Sequence, residues 1–95
     1  MVLDPVVRQA LDRLVTIALR NTRESRRVAN FLLAWWDAEQ YGGFDLTDLW
    51  ELDAGTIVDL TVVIQYVARI QHYPDTLGYT DAFDQIIDRW RKGKS

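Results

Sequence analysis

The chain has 95 residues, of which 48% are hydrophobic and 12% aromatic, so length and composition predict one small domain over residues 1–95. It has no cysteine, which excludes disulfides, thiolate zinc sites and cysteine nucleophiles. The N-terminal segment lacks the basic and apolar regions of a signal peptide, and the longest mostly apolar stretch, Ile57–Val67, is too short to span a bilayer. We therefore expect a cytoplasmic protein that makes no membrane contact.

The formal net charge of −3 conceals an uneven distribution of charge along the chain. Residues 1–27 carry six arginines against three carboxylates, and residues 28–88 carry eleven carboxylates against Arg69 alone. Residues 89–95 carry four cations and no acidic side chain. This distribution can orient a partner or a second copy, but the basic ends can also neutralise the acidic middle within the fold. The sequence leaves open whether the two basic ends share a face.

The first helix is predicted to run from Asp4 to about Arg20. Asp4 suits the N-cap, and Pro5 suits the first helical position, where its missing N–H costs nothing. Arg20 would place a cation at the negative end of the helix dipole. Apolar residues recur between these limits at helical spacing, at Val7, Leu11, Leu14, Val15 and Ala18.

A second helix is predicted after Asn21 or Thr22, either of which can cap it. Asn21 and Glu24 have the spacing of a capping box, in which two side chains satisfy free backbone N–H groups. Only one of residues 28–36 is polar, and a helix that is apolar on nearly every face belongs in the middle of a bundle. The glycine pair at 42–43 ends this helix, because glycine tolerates the left-handed conformation that follows a helix.

Two more helices are predicted after a short irregular or helical insert at residues 44–53. Asp45 and Asp53 are expected to cap the insert and the helix that follows it. Residues 54–72 favour a helix over a strand, because their polar side chains recur every three or four positions. A turn containing Pro and Gly then leads to a last helix capped by Thr80. The prediction is an all-α domain, a small bundle of four main helices.

The most informative stretch is residues 31–53, which holds three of the four tryptophans. Trp35 and Trp36 are adjacent on a helix, so their side chains point about 100° apart and cannot face one narrow core stripe. We expect one in the core and the insert folded back over the other. An uncovered Trp36 would leave an aromatic patch that marks an interface. The predicted partner-binding residues, beside the turn at 73–79, are Trp36, Tyr41, Phe44, Asp45, Asp48 and Trp50.

An arginine cluster at the junction of the first two helices supports an alternative hypothesis. Arg23, Arg26 and Arg27 crowd the positive end of the second helix dipole, where carboxylates are preferred, whereas Arg20 suits the negative end of the first. Arginine and a helix N-terminus both suit anions, so the cluster predicts contact with phosphate or an acidic partner. A regulator that contacts nucleic acid is the alternative function, against which stand an isoelectric point of about 4.9 and the lack of aromatic residues among these arginines. The other interpretation is a solvated face, partly paired by Glu24 or by acids of the middle segment. The cluster consists of Arg20, Arg23, Arg26 and Arg27.

No pattern indicates catalysis, a cofactor or a metal. His72 is the only histidine, and no second histidine or cysteine can join it in a zinc site or a catalytic triad. It is expected to be a helix cap or a packed ring. The acidic stretch lacks the ligand spacing of a calcium loop, and the glycine pair lacks the spacing of a phosphate-binding loop. We therefore predict a non-enzymatic protein.

Two segments resemble an uncharacterised family of short proteins encoded on bacterial plasmids and integrative elements. The shared strings are LAWW, GGFDL and DLW in the first segment and YP, LGY and a final Trp in the second, within residues 25–92. The resemblance implies an accessory protein of mobile DNA that binds or inhibits a host or defence-system component, as anti-CRISPR proteins do. We predict a protein–protein interaction module, with self-association and mimicry of nucleic-acid charge as further hypotheses.

Overall fold

The computed structural model describes residues 3–92 and confirms the all-α class, with no strand in that part of the chain. None of the described helices has the combined length and apolar character needed to cross a membrane. The four α-helices are α1 at Pro5–Ala18, α2 at Arg23–Tyr41, α3 at Ala54–Arg69 and α4 at Thr80–Ile87. Two 3-10 helices occupy Leu46–Glu51 and Pro74–Leu77, and a π-helix occupies Asp88–Lys92.

Helix α1 is the central element, because it contacts all three of the other α-helices. Its inward face carries Ala10, Leu11 and Leu14, which are fully buried. The apolar character of residues 28–36 instead predicted α2 at the centre. In the structure α2 distributes its large side chains among α1, α4 and the insert, so several of its aromatic residues are only half-buried.

Two polar contacts fix α1 against its neighbours. The Nε and Nη2 atoms of Arg13 each donate to the Asp59 carboxylate at 2.8 Å, which joins α1 to α3. The Tyr79 hydroxyl donates to Asp12 Oδ1 at 2.7 Å and accepts from Arg8 Nη1 at 3.3 Å, which joins α1 to the start of α4. Burial, together with the hydrogen bond to Asp12, raises the pKa of Tyr79 well above its ordinary value.

The start of α2 differs from the prediction in one respect. Thr22 caps the helix as expected, since its Oγ1 accepts a hydrogen bond from Ser25 N at 3.0 Å. Glu24 does not form a capping box with Asn21, because its carboxylate reaches out of the helix. Its Oε2 instead accepts from the backbone N of Asp53 at 2.9 Å. Glu24 therefore ties α2 to the start of α3.

Other helix boundaries match the predictions in part. Asp45 caps the first 3-10 helix as predicted, and α1 ends at Ala18, two residues before the predicted end. Asp53 occupies the N-cap position of α3 without a side-chain cap bond. The prediction of a cap at Thr80 is wrong, because Thr80 is already the first residue of α4. Helix α3 ends at Arg69, earlier than the expected limit of 72.

The end of α2 contains a kink followed by a glycine stop. Asp37 leaves helical geometry with φ −166° and ψ 89°, and its Oδ1 accepts from Gln40 N at 3.2 Å. Asp37 therefore caps the last turn of α2 from within the helix. Gly42 follows with φ 96°, a region that favours glycine, which confirms the predicted stop.

Candidate functional site

The insert packs on α2 through its apolar side chains. The Phe44 ring meets Phe31 of α2 edge-on, with the ring centroids 5.6 Å apart. Leu52 is buried, and Leu49 packs against the core. Leu52 directly follows the first 3-10 helix, so the insert meets the core through Leu49 of that helix and through the residue after it.

Charged side chains of α2 also hold the insert. Arg27 Nε lies 3.5 Å from Asp48 Oδ1, and Arg27 Nη2 lies 3.0 Å from Glu51 Oε1. Both carboxylates belong to the first 3-10 helix. Glu24 accepts from Thr56 Oγ1 at 3.1 Å, beyond the insert, in addition to its bond with the Asp53 backbone. The insert is therefore anchored near both its ends, which fixes the direction of its outward side chains.

Leu46 and Trp50 are the large apolar side chains that the insert exposes. Trp50 is 84% exposed and Leu46 is 71% exposed, the two highest values among large hydrophobic residues of the described chain. The exposure of Trp50 shows that neither α2 nor the rest of the described chain covers its side chain. We define the Trp50 surface as these two residues with the exposed carboxylates beside them in sequence: Leu46, Trp50, Asp45, Glu51 and Asp53.

The six predicted partner-binding residues do not form one surface. Trp36 packs on Phe83 of α4, with ring centroids 5.1 Å apart. It also lines a groove with Tyr73 and Asp75 of the turn between α3 and α4. The insert packs at Phe31, five positions earlier and about 140° around α2. Trp35 also meets Phe83, with ring centroids 6.2 Å apart, so both adjacent tryptophans make ring contacts with α4, whereas the insert makes its ring contact with Phe31.

Several of the other predicted residues have contacts within the fold. Tyr41 is half-buried against the core, and Asp48 is engaged by α2 through its ion pair. Asp45 Oδ1 accepts from Thr47 Oγ1 at 2.7 Å and from Thr47 N at 2.9 Å, and these bonds lower the pKa of Asp45. Among the aromatic residues of the predicted set, Trp50 is the one with most of its surface in solvent.

The C-terminal segment joins the arginine cluster, a juxtaposition that sequence patterns could not show. Arg89 Nε donates to the backbone carbonyl of Arg20 at 2.8 Å, and Arg91 Nη2 donates to Asn30 Oδ1 at 2.7 Å. The two basic regions of the chain therefore lie side by side. We call this surface the arginine pole and define it as Arg20, Arg23, Arg26, Arg89 and Arg91.

The arginine pole concentrates positive charge. Burial lowers the pKa of Arg91, and the charge of Arg26 lowers it further. The ion pairs of Arg13 and Arg27 lead away from the pole, to Asp59 in the first case and to Asp48 and Glu51 in the second. Arg27 departs from the predicted cluster, because its guanidinium turns to the insert.

His72 has contacts that suit a packed ring. Its Nδ1 lies 3.2 Å from the Tyr66 hydroxyl, and its backbone carbonyl accepts from Trp35 Nε1 at 3.1 Å. These bonds join the end of α3 to α2. Among the described residues, no group of three or more histidines or carboxylates is arranged to hold a metal ion.

Comparison with known proteins assigns a family but no activity. No curated protein and no solved structure shows a significant match to the chain. One family model matches residues 8–91, a range that contains the insert, the whole arginine pole and nearly all of the four α-helices. The chain therefore belongs to a family of unknown function, DUF7673.

Proposed function

We propose that this protein is a non-enzymatic interaction module that binds another protein through the Trp50 surface. The observation that carries the proposal is the 84% exposure of Trp50. Tryptophan buries about 150–250 Å² when it is covered, and it is among the residues most enriched in interface hot spots. Because Arg27 and Glu24 anchor the insert, Trp50 is presented on an ordered element, which lowers the entropic cost of binding.

The chemistry of the Trp50 surface defines the partner. Leu46 and Trp50 supply apolar anchors, so the partner should offer an apolar pocket. Asp45, Glu51 and Asp53 flank them with exposed carboxylates, so the rim of that pocket should be basic. Inhibition of a host or defence-system component, the role implied by the resemblance to mobile-element proteins, would be one case of such binding. A target that normally holds nucleic acid would also fit, because its channel is basic.

Truncation of Trp50 tests the proposal. The tagged chain would be captured, with nuclease treatment, from cells that naturally express it, alongside Trp50→Ala. We expect a stoichiometric protein partner with the wild type and a loss of at least about 2 kcal/mol, or about 30-fold in Kd, with Trp50→Ala. Tyr73→Ala is the matched control, because Tyr73 is a second aromatic residue, 61% exposed, beside Trp36. Partner binding that survives Trp50→Ala would contradict the proposal.

Self-association is a second candidate, and the outer face of α3 favours it. The only charged residue among positions 54–68 is Asp59, which turns inward to Arg13. Two antiparallel α3 helices crossing at Thr61 would place Val58 level with Ile64 of the other copy, and Asp53 level with its Arg69. No like charges would meet in this arrangement. The exposed residues of the face are Ala54, Val58, Thr61, Ile64, Gln65 and Ala68.

Light scattering during size-exclusion chromatography measures this association. We expect a mass approaching twice the 11.1 kDa of one chain at high concentration. Val58→Asp should restore the monomer mass, because each introduced carboxylate would be buried without a partner against Ile64 of the other copy. Val6→Asp is the control, since Val6 is equally exposed but lies on α1. A monomer mass for the wild type at every concentration would rule this candidate out.

A further inference from the structure

We propose that the arginine pole binds the phosphate backbone of nucleic acid, an activity independent of the Trp50 surface. The pole is assembled from three segments, which are the chain just after α1, the first turns of α2, and the C-terminal π-helix. Two of its guanidinium groups are held in place, Arg89 on the Arg20 carbonyl and Arg91 on the Asn30 side chain. The fold therefore builds this surface rather than leaving separate flexible cations.

A row of donors runs along the start of α2. Arg23 and Arg26 are three positions apart and lie on one face of the helix, and Asn30 continues that face one turn later. Asn30 holds the Arg91 guanidinium, so the row spans about 10 Å of helix. The positive end of the α2 dipole lies at the start of the same row. The charges of Arg23 and Arg26 and the helix dipole attract an anion, while the Arg91 guanidinium bonds within the protein to Asn30 and to the carbonyls of Tyr41 and Trp90.

Like charges lie close together in the arginine pole. The guanidinium of Arg91 is disfavoured by burial and by the nearby charge of Arg26. Asp48 lines the same groove as Arg23 and Arg26, but its ion pair goes to Arg27. A concentration of like charge is expected where a ligand of opposite charge binds.

The surroundings of the pole favour phosphate over an acidic protein. Protein interfaces are centred on apolar or aromatic anchors, but the exposed large hydrophobic residues of the described chain lie in other segments. Trp90, the aromatic residue of the π-helix, is partly buried and donates its indole N–H to the Ala18 carbonyl at 2.7 Å. It is therefore placed to support the fold rather than to stack on a base. Guanidinium groups match phosphate oxygens bidentately, and such contacts carry no base specificity.

Fluorescence anisotropy with a labelled DNA duplex of about 20 base pairs and a labelled RNA strand of similar length tests the proposal. About four phosphate contacts give a slope of log K against log salt near −3.6, or about 100-fold weaker binding at 200 mM than at 50 mM salt. Arg26→Glu should weaken binding about tenfold and reduce the slope by about 1. Arg69→Glu makes the same charge change at an exposed helical site outside the pole and should stay within about twofold of the wild type.

Three results would overturn the proposal. The first is no binding of either probe at about 50 mM salt, and the second is an equal loss of affinity in Arg26→Glu and Arg69→Glu. The third is that a polyglutamate peptide binds as tightly as the DNA and that Arg26→Glu abolishes this binding. That result would assign the pole to an acidic protein. Circular dichroism verifies that each variant is folded. Arg26→Gln, which removes one charge without adding another, should give a smaller loss than Arg26→Glu.

Discussion

Tyr79 shows how one side chain can join distant parts of this chain. In the sequence it is part of a turn, and nothing in its neighbourhood marks it as a polar junction. In the structure its hydroxyl lies between Asp12 and Arg8, which are 67 and 71 positions away. Its burial keeps the phenol neutral well beyond the ordinary range of tyrosine.

Alkaline pH is expected to destabilise the fold through Tyr79. The folded protein keeps the hydroxyl proton of Tyr79 at pH values above 10.0, the ordinary pKa of tyrosine, where the unfolded chain releases it. The stabilisation is therefore fully present below that pH and is lost as pH rises above it towards the folded pKa. Urea unfolding at about pH 8 and about pH 11 measures the loss. Tyr79→Phe should lose less stability than the wild type over this interval, whereas equal losses would contradict the assignment.

At the scale of elements, the insert depends most on tertiary contacts. Its 3-10 helix has six residues and cannot be stable alone, because short isolated helices are marginal in water. The insert is attached to α2 by the ring contact of its Phe44 and by the α2 side chains of Arg27 and Glu24. The orientation of Trp50 follows from these attachments, so a loosened insert should also weaken partner binding.

Removal of the Glu24 carboxylate should loosen the end of the insert. Glu24→Ala leaves the Asp53 backbone N–H and the Thr56 hydroxyl without their partner, which should cost about 1 kcal/mol. Hydrogen exchange of the amides at residues 46–53 should become faster than in the wild type. Glu39→Ala is the control, because Glu39 is an exposed carboxylate near the other end of α2. Unchanged exchange at 46–53 in Glu24→Ala would show that the Phe44 contact and the Arg27 ion pairs hold the insert without Glu24.

At the scale of the whole molecule, the fold separates charge as well as pairing it. The acidic middle of the chain neutralises Arg27 and Arg13, as one interpretation of the sequence anticipated. Arginines from both basic ends, the five that define the arginine pole, gather there instead, whereas Arg8 contacts Tyr79. Arg27 lies at the boundary, next to Arg26 in sequence and bonded to the insert in space. The two proposed surfaces therefore adjoin, and a charged ligand on one would alter the electrostatic potential at the other.

The sequence by itself determined the all-α class, the four main helices and the starts of α1 and α2. These features are local, since Asp4, Thr22 and Gly42 act on backbone groups within a few positions and apolar spacing records a single helix face. Only the tertiary structure decided that α4 contacts Trp36, that Trp50 faces solvent, and that the C-terminal arginines join those of α2. These outcomes depend on contacts between residues tens of positions apart, and no local pattern encodes which faces of the helices meet.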